Sequence, residues 1–199
     1  MFPHYNNLKK IYESITTAVY RGRRTDDNKP VILKILNRDY PSREELEEYK
    51  YEYELLSRLN LTCAVHALEL IEYKNTLVII FEDPGGISLK SHLESKKLTV
   101  KEFLHIAVNM ADILSELYSE GIIHGNITSA SIILNPETGE IKLIDFSIAG
   151  KFSGEMKNPK GNLSYISPEQ TGRTSHIVDY RTDYYSLGVT FYELLTGKL

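Results

Sequence analysis

The loop from His124 to Asn135 is the part of this sequence whose position most suggests chemistry. It reads HGNITSASIILN and lies between an amphipathic, helix-like segment and a short hairpin that ends in LIDF. Loops in that position often carry a general base and a metal ligand, which move a proton and neutralise charge on a reacting group. This loop contains neither a carboxylate nor a lysine. Its residue types leave open whether the chain catalyses a reaction or only keeps the shape of a catalyst.

A lysine and a glutamate in the first third form a second candidate set. Lys34 is the only charge in VILKIL at 31–36, an apolar run that predicts a buried strand. Glu52 lies on a helical stripe, because spacings of three and four residues bring side chains to one face. The other members of this stripe are Tyr49, Leu56 and Leu59. A carboxylate on a buried face needs a cation, and Lys34 is the nearest in sequence. The alternative is that Glu52 is half-exposed at the edge of the stripe.

The elements around these residues predict two units. Segment 11–22 favours a hairpin or a bent strand, and Ser42 with Glu45 matches the capping box of a helix. Two more strands, ALELIEY and NTLVIIFED, end at the cluster DPGG, which is the best candidate boundary. Beyond it the pattern favours two helices, a small hairpin, a loop-rich stretch and a last helix. We expect units at 1–84 and 85–199.

Composition excludes several classes of function. Apolar residues at 42% and charged residues at 25% are typical of a globular protein that is soluble. A net charge of −4 gives no basic surface for nucleic acid or anionic lipid. The single cysteine, Cys63, excludes an internal disulfide and suits the cytoplasm. The longest apolar runs, such as LVIIF at 77–81, are too short to span a membrane.

The order of the motifs resembles that of protein kinases. VILK resembles the strand-three lysine motif, LIDFS the DFG motif, and YISPEQ the end of the activation segment. DYRTDYYSLGVTFYELLTG resembles the helix that anchors the kinase helical lobe. The resemblance implies an α+β fold with two lobes: an antiparallel N-lobe sheet with one αC-type helix, and a mainly helical, incomplete C-lobe. More narrowly, these motifs and GGISL resemble the kinase-like domain at the front of bacterial multidomain sensor histidine kinases.

The resemblance assigns roles to individual residues. Lys34 would reach the phosphates of ATP, Glu52 would position Lys34, and Asp145 would bind Mg²⁺. Kinases commonly use the hinge position of Pro84 to donate a backbone N–H to adenine, and proline has none, so weakened ATP binding is expected. The remaining residues expected around the nucleotide are Val19, Ile32, Glu82 and Ile133.

Aligned on His124, the H-R-D-L-x-x-x-x-N pattern of kinases has lost its chemical groups. The aspartate position holds Asn126, whose amide can orient a hydroxyl but cannot accept its proton. Thr128 replaces a lysine, and Ser131 replaces the metal-binding asparagine with a weaker ligand. The arginine position holds Gly125. Loss of a general base alone typically lowers the rate about 10²–10⁴-fold.

Two other regions depart from the kinase pattern. The glycine-loop positions hold Tyr12, Ser14 and Thr17, whose side chains would hinder close approach of phosphates. Asn162 replaces the threonine that braces the catalytic aspartate and lysine in serine/threonine kinases. Loss of the brace together with the residues it braces favours relaxed catalytic constraint.

Structural roles are alternatives for several of these residues. Lys34 and Glu52 can be an ion pair that orders a helix, and His124 with Phe146 can be core residues. Asp183 is expected to cap the backbone of the catalytic-type loop. Asp145 has no evident structural role, and so it is the residue in which ligand chemistry is most expected to survive.

The function that the resemblance implies is that of a pseudokinase, a regulatory or binding module in bacterial signalling with weak ATP and Mg²⁺ binding. One alternative is a slow serine/threonine kinase in which Asn126 only orients the substrate. Another is a small-molecule phosphotransferase of the aminoglycoside or choline kinase type, since those carry HGD and this chain has His124-Gly125. The sequence stops at TGKL, where kinases continue, which predicts a longer parent chain with further signalling modules or a protein partner. Glu169 would then pair with an arginine of that continuation.

Overall fold

The computed structural model describes residues 2, 4–59, 61–151, 162–174 and 176–199. The chain divides into two compact units, which are described separately. The first comprises Met1–Leu61 with Val65–Pro84, and the second comprises Thr62–Ala64 with Gly85–Leu199. An antiparallel sheet dominates the first unit and helices dominate the second, which confirms the expected α+β class.

The first unit is a five-stranded antiparallel sheet with one helix. The strand order is β1-β2-β3-β5-β4, and each strand pairs with its neighbours in antiparallel register. Alternation along β3 and β5 places Val31, Leu33, Val78 and Ile80 in one buried cluster, with Tyr5 from β1. The elements are β1 (Tyr5–Glu13), β2 (Thr17–Arg24), β3 (Pro30–Leu36), α1 (Arg43–Arg58), β4 (Ala67–Tyr73) and β5 (Thr76–Glu82).

The helix α1 begins where the sequence predicts. The Ser42 side chain accepts the backbone N–H of Glu45, and the Glu45 carboxylate accepts the backbone N–H of Ser42, so the capping box is complete. The residues of α1 that are buried are Tyr49, Glu52 and Leu56. The predicted inward positions of Tyr49, Glu52 and Leu56 are therefore confirmed, whereas Leu59 caps the end of the helix and is only half-buried.

Short strands and longer helices build the second unit. One small sheet has the order β6-β8-β9, and β7 pairs with β10 in another. At Gly86 a Cβ would lie 2.6 Å from the carbonyl oxygen of Leu134, so the approach of the chain to β8 requires glycine. The elements are β6 (Ile87–Ser88), α2 (Leu89–Ser95), α3 (Val100–Ser119), β7 (Ile122–Ile123), β8 (Ile132–Leu134), β9 (Ile141–Leu143), β10 (Gly150–Lys151), a 3₁₀ turn (Glu169–Thr171) and α4 (Arg181–Thr196).

The helix α3 contributes one apolar face to the core of the second unit. A capping box of Thr99 and Glu102 starts it, and Gly121 follows its end with a φ of 70°. Phe103 of α3 is half-buried and packs edge-to-face on Phe191 of α4 at 5.2 Å between ring centroids. The buried residues of α3 are Ile106, Met110, Ile113, Leu114 and Leu117.

The first strand begins earlier in the chain than the sequence predicts. The strand β1 starts at Tyr5, well before the segment 11–22 in which the sequence predicts a hairpin or a bent strand. The pattern does not predict this earlier start, because most side chains of β1 are exposed and show no apolar alternation. Within the loop-rich stretch 146–178, residues 152–161 and 175 lie outside the described residues.

None of the helices in the described ranges combines the length and the apolar character needed to cross a bilayer.

Candidate functional site

In the first unit, Lys34 and Glu52 form a close ion pair. The Lys34 ammonium lies 2.9 and 2.7 Å from the two carboxylate oxygens of Glu52. The Glu52 side chain is fully buried and that of Lys34 is 12% exposed. The alternative of a half-exposed Glu52 at the helix edge is therefore wrong. A lysine held in this way is positioned by a strand and a helix together, as the kinase pattern requires of a phosphate-contacting lysine.

Two other candidate residues of this unit lie on the same face of the sheet as Lys34. Val19 of β2 pairs with Lys34 of β3, and Ile32 is two residues before Lys34, so all three share one face of the sheet. Glu82 ends β5 opposite Val31. Its carboxylate accepts the backbone N–H of His66 at 3.3 Å, and its own N–H donates to the His66 carbonyl at 3.1 Å. The geometry thus brings Val19, Ile32, Lys34 and Glu52 together.

The turn between β1 and β2 is closed by Ser14. Its hydroxyl oxygen accepts the backbone N–H groups of Thr16 at 3.3 Å and of Thr17 at 3.0 Å. Its own N–H donates to the carbonyl of Thr17 at 2.8 Å. Phosphate-binding glycine loops use free backbone N–H groups, and here two such groups are already taken by a side chain.

In the second unit, Asp183 holds the start of the loop that begins at His124. Its two carboxylate oxygens accept the backbone N–H groups of His124 at 2.9 Å and Gly125 at 2.8 Å. The expected capping role of Asp183 is confirmed. Burial raises the pKa of Asp183 to about 6, while the two N–H donors act in the opposite direction. Gly125 has a φ of 75°, a left-handed conformation that glycine adopts at little cost.

The imidazole of His124 fixes the next turn of the loop. Its Nδ1 accepts the backbone N–H of Asn126 at 3.2 Å, so its Nε2 carries the proton and donates to the Ile144 carbonyl at 3.1 Å. The ring also packs edge-to-face on Phe146 at 4.6 Å. Both side chains are fully buried, which agrees with their expected role as core residues.

Thr128 and Ser131 are bonded to each other within the loop. The Ser131 hydroxyl accepts the backbone N–H of Thr128 at 2.9 Å and lies 3.0 Å from the carbonyl oxygen of Asn126. The Thr128 hydroxyl in turn accepts the backbone N–H of Ser131 at 3.2 Å. Both side chains are buried. This arrangement favours a structural role for Ser131 over the predicted weak metal contact.

Asn126 and Asp145 are brought together by the loop and by the end of β9. The Nδ2 of Asn126 donates to one carboxylate oxygen of Asp145 at 2.9 Å. The hydroxyl of Ser147 donates to the other oxygen at 3.1 Å. The expectation that Asp145 has no structural role is therefore corrected, since it is the acceptor of two side-chain donors. Ile133, the remaining candidate, lies in β8 beside Lys142 and Ser88.

Besides Ser147, two residues of the site were missed by the sequence reasoning. The amide of Gln170 donates to the carbonyl of Gly125 at 2.9 Å and accepts the backbone N–H of Ser167 at 3.0 Å. The hydroxyl of Tyr165 donates to Glu193 of α4 at 2.6 Å and lies 3.3 Å from that of Ser129. Both occur in the motif quoted as YISPEQ, but polar residues near a loop carry no sequence signal that identifies their partners.

The oxygen ligands that the second unit offers do not fit the paired Mg²⁺ ions of an active kinase. Such ions take oxygen ligands from carboxylates, amide carbonyls and substrate phosphates. Asp145 supplies a carboxylate whose oxygens already accept hydrogen bonds, and the Ser131 hydroxyl faces the interior of its own loop. Among the described residues, no group of three or more histidine, cysteine, aspartate or glutamate side chains is arranged to hold a metal ion.

Comparison with known proteins agrees with the motifs and the fold. A probable serine/threonine-protein kinase of Clostridium perfringens is 30% identical over 97% of this chain, which covers 29% of that protein. The serine/threonine-protein kinase PrkC of Bacillus subtilis is 28% identical over 98% of this chain, which covers 31% of that protein. Serine/threonine-protein kinase 36 of Pongo abelii is 30% identical over 97% of this chain, which covers 15% of that protein.

The chain therefore spans less than a third of the length of each of these relatives. A family model described as the protein kinase domain matches residues 5–199, almost the whole chain. The chain belongs to the protein kinase domain family.

Proposed function

We propose that this chain is a pseudokinase: a kinase domain that serves as a regulatory or binding module in bacterial signal transduction and transfers phosphate slowly or not at all. The observation that carries the proposal is the bond from the Asn126 amide to Asp145 at 2.9 Å. The side chain at the position of the general base is a hydrogen-bond donor towards the carboxylate. An amide in that role has no capacity to accept a proton from a substrate hydroxyl.

The rest of the loop supports the same proposal. Thr128 and Ser131, at the positions of a lysine and a metal-binding asparagine, are buried and bonded to each other. Charge on a transferring phosphoryl group is stabilised mainly by cations and by fixed donors. Thr128 and Ser131 therefore supply no charge for that role, and their hydroxyl groups are hydrogen-bonded within the loop.

Weak binding of ATP is part of the proposal. The Lys34–Glu52 pair has the geometry of the phosphate-contacting pair in active kinases. The hydrogen bonds of Ser14 oppose tight binding, because they occupy backbone N–H groups at the turn that would face phosphates. We therefore expect ATP to bind to this chain less tightly than to an active kinase.

A slow serine/threonine kinase is the second candidate. It is favoured by the retained Lys34–Glu52 pair and by Asp145, which stays at its expected position after β9. In that case Asn126 would orient the substrate hydroxyl and the reaction would lack a general base. The small-molecule phosphotransferase has no comparable support, since the matching family and the relatives named above are protein kinases.

Calorimetric titration with ATP tests the proposal. ATP is titrated into the chain with MgCl₂ and with EDTA, and Lys34→Arg serves as a variant that keeps a cation beside Glu52. We expect weak binding in the wild type, further weakened by Lys34→Arg because guanidinium and ammonium groups contact phosphates differently. Tight, Mg²⁺-dependent binding together with phosphate incorporation that Asp145→Ala abolishes would overturn the pseudokinase proposal.

A further inference from the structure

Two departures from the kinase pattern meet at one carboxylate. Asn126 stands at the position of the catalytic aspartate, and Ser147 stands at the position of the glycine in the DFG motif. Their side chains donate to different oxygens of Asp145, at 2.9 Å and 3.1 Å. We call these three residues the Asp145 cluster.

The chemistry of the two replaced residues explains why the combination matters. An aspartate at position 126 would place a second carboxylate against Asp145, and two carboxylates about 3 Å apart cannot both ionise without a cation between them. A glycine at position 147 would offer no side-chain donor. The amide and the hydroxyl found here are both neutral, so each can bond to an ionised Asp145 with no metal present.

Two hydrogen bonds hold the backbone of Asn126 in place. The N–H of Asn126 donates to the His124 ring at 3.2 Å, and its carbonyl oxygen accepts from the Ser131 hydroxyl at 3.0 Å. Asp145 has a φ of 67°, a left-handed conformation that short polar residues adopt when local hydrogen bonds support it. The backbone of Asn126 is therefore held by two hydrogen bonds, and Asp145 has a defined left-handed conformation, as expected of positioning residues.

We propose that Asn126 and Ser147 replace the divalent cation as the partners of Asp145, so that the loop and the segment after β9 keep their geometry without metal. This inference deepens the proposed function and rests on it. It goes further because it concerns what holds the fold of this region. A slow kinase needs the cation for phosphate transfer, whereas in this proposal the loop needs no cation to keep its geometry.

Thermal unfolding of the nucleotide-free chain tests the proposal. The wild type and Asn126→Asp are melted in EDTA, in millimolar MgCl₂ and in NaCl of matched ionic strength. We expect the Tm of the wild type to be the same in all three solutions, within about 1 °C. Asn126→Asp should melt lower in EDTA and gain roughly 3–5 °C with MgCl₂, since ligand binding to the folded state raises Tm.

Matched variants separate a lost hydrogen bond from a gained cation site. Asn126→Ala removes the donor without adding charge, so its Tm should fall and should not respond to Mg²⁺. Ser147→Gly removes the second donor, while Ser147→Thr keeps a hydroxyl and should retain most of the wild-type Tm. Loss of a hydrogen bond alone would not create the Mg²⁺ response that we expect of Asn126→Asp.

Binding of Mn²⁺ provides a second readout that does not require Asn126→Asp to be stable without metal. Free Mn²⁺ has an electron paramagnetic resonance signal that is lost on binding. We expect the nucleotide-free wild type to leave the signal unchanged, and Asn126→Asp, purified with Mg²⁺ if necessary, to reduce it. A wild type whose Tm rises with Mg²⁺ or that removes the Mn²⁺ signal would overturn the proposal.

Failure of this inference is distinguishable from failure of the proposed function. Phosphate transfer by a wild type whose Tm ignores Mg²⁺ would contradict the pseudokinase role and leave the Asp145 cluster in place. A wild type that is stabilised by Mg²⁺ but transfers no phosphate would contradict the cluster alone.

Discussion

The ammonium of Lys34 contacts both carboxylate oxygens of Glu52, at 2.9 and 2.7 Å, and the glutamate has no exposure to solvent. The pair joins β3 to α1 in the interior of the first unit. Removing one partner of a buried pair leaves the other charge without compensation, which costs more than the intact pair contributes.

We therefore expect Lys34→Met to lower the free energy of unfolding by about 3–5 kcal/mol. The double variant Lys34→Met/Glu52→Leu should recover most of that loss, because no buried charge remains. Urea denaturation measures both values. Arg43→Met is the control, since its ion pair with Glu47 is exposed and should contribute less than about 1 kcal/mol. A small loss in Lys34→Met would mean that Glu52 takes up a proton or reaches solvent.

Gln170 is predicted to hold the loop after β7. Its amide bonds to the backbone of Gly125 and of Ser167, and it is buried. Gln170→Leu fills a similar volume but leaves these two groups unsatisfied, so we expect a loss of about 2–4 kcal/mol in the free energy of unfolding. Asn109→Ala, which removes an exposed hydrogen bond on α3, should change it by less than about 0.5 kcal/mol. Equal effects of the two variants in urea denaturation would exclude this role.

Asp183 gives the stability of the second unit a pH dependence with a defined sign. Burial raises its pKa from 3.8 to about 6, against the lowering effect of its two N–H donors. Between those values the folded chain binds more protons than the unfolded chain, so this group's contribution to stability falls as pH rises. Below that range Asp183 is protonated in both states, and above it the contribution is constant.

The variant Asp183→Asn should remove this dependence. We expect the free energy of unfolding of the wild type minus that of the variant to fall by about 2–3 kcal/mol between pH ~4 and ~7, since one pKa unit corresponds to about 1.4 kcal/mol. Urea denaturation across that pH range measures it, and the difference cancels the titration of other groups. A difference that grows with pH would mean that the N–H donors outweigh burial.

Periodicity and end signals were sufficient to predict α1. The spacing of Tyr49, Glu52 and Leu56 gave its buried stripe, and the Ser42–Glu45 capping box gave its start. Those signals lie in a single segment, where local geometry decides the outcome. The strand β1 lacked such a signal, because its side chains are mostly exposed and its pairing with β2 has two register shifts. Its start at Tyr5 depends on pairing that a local pattern does not encode.

The candidate site was predictable in its residues and only partly in its contacts. Alignment of motifs singled out Asn126 and Asp145, but it gave no sign that one side chain would donate to the other. Ser147 was visible as a hydroxyl at a glycine position of the DFG-like motif, and that departure was the one available signal for its contact with Asp145. Contacts between residues far apart in sequence depend on tertiary packing, which spacing along the chain does not reveal.

Transfer of radiolabelled phosphate from ATP is the most direct test of the central claim that this loop has lost its catalytic chemistry. The chain is incubated with ATP and either Mg²⁺ or Mn²⁺, with Asp145→Ala as the negative control and an active serine/threonine kinase as the positive control. We expect the wild type to label itself and general protein substrates no more than Asp145→Ala does. Labelling by the wild type that Asp145→Ala abolishes would contradict it.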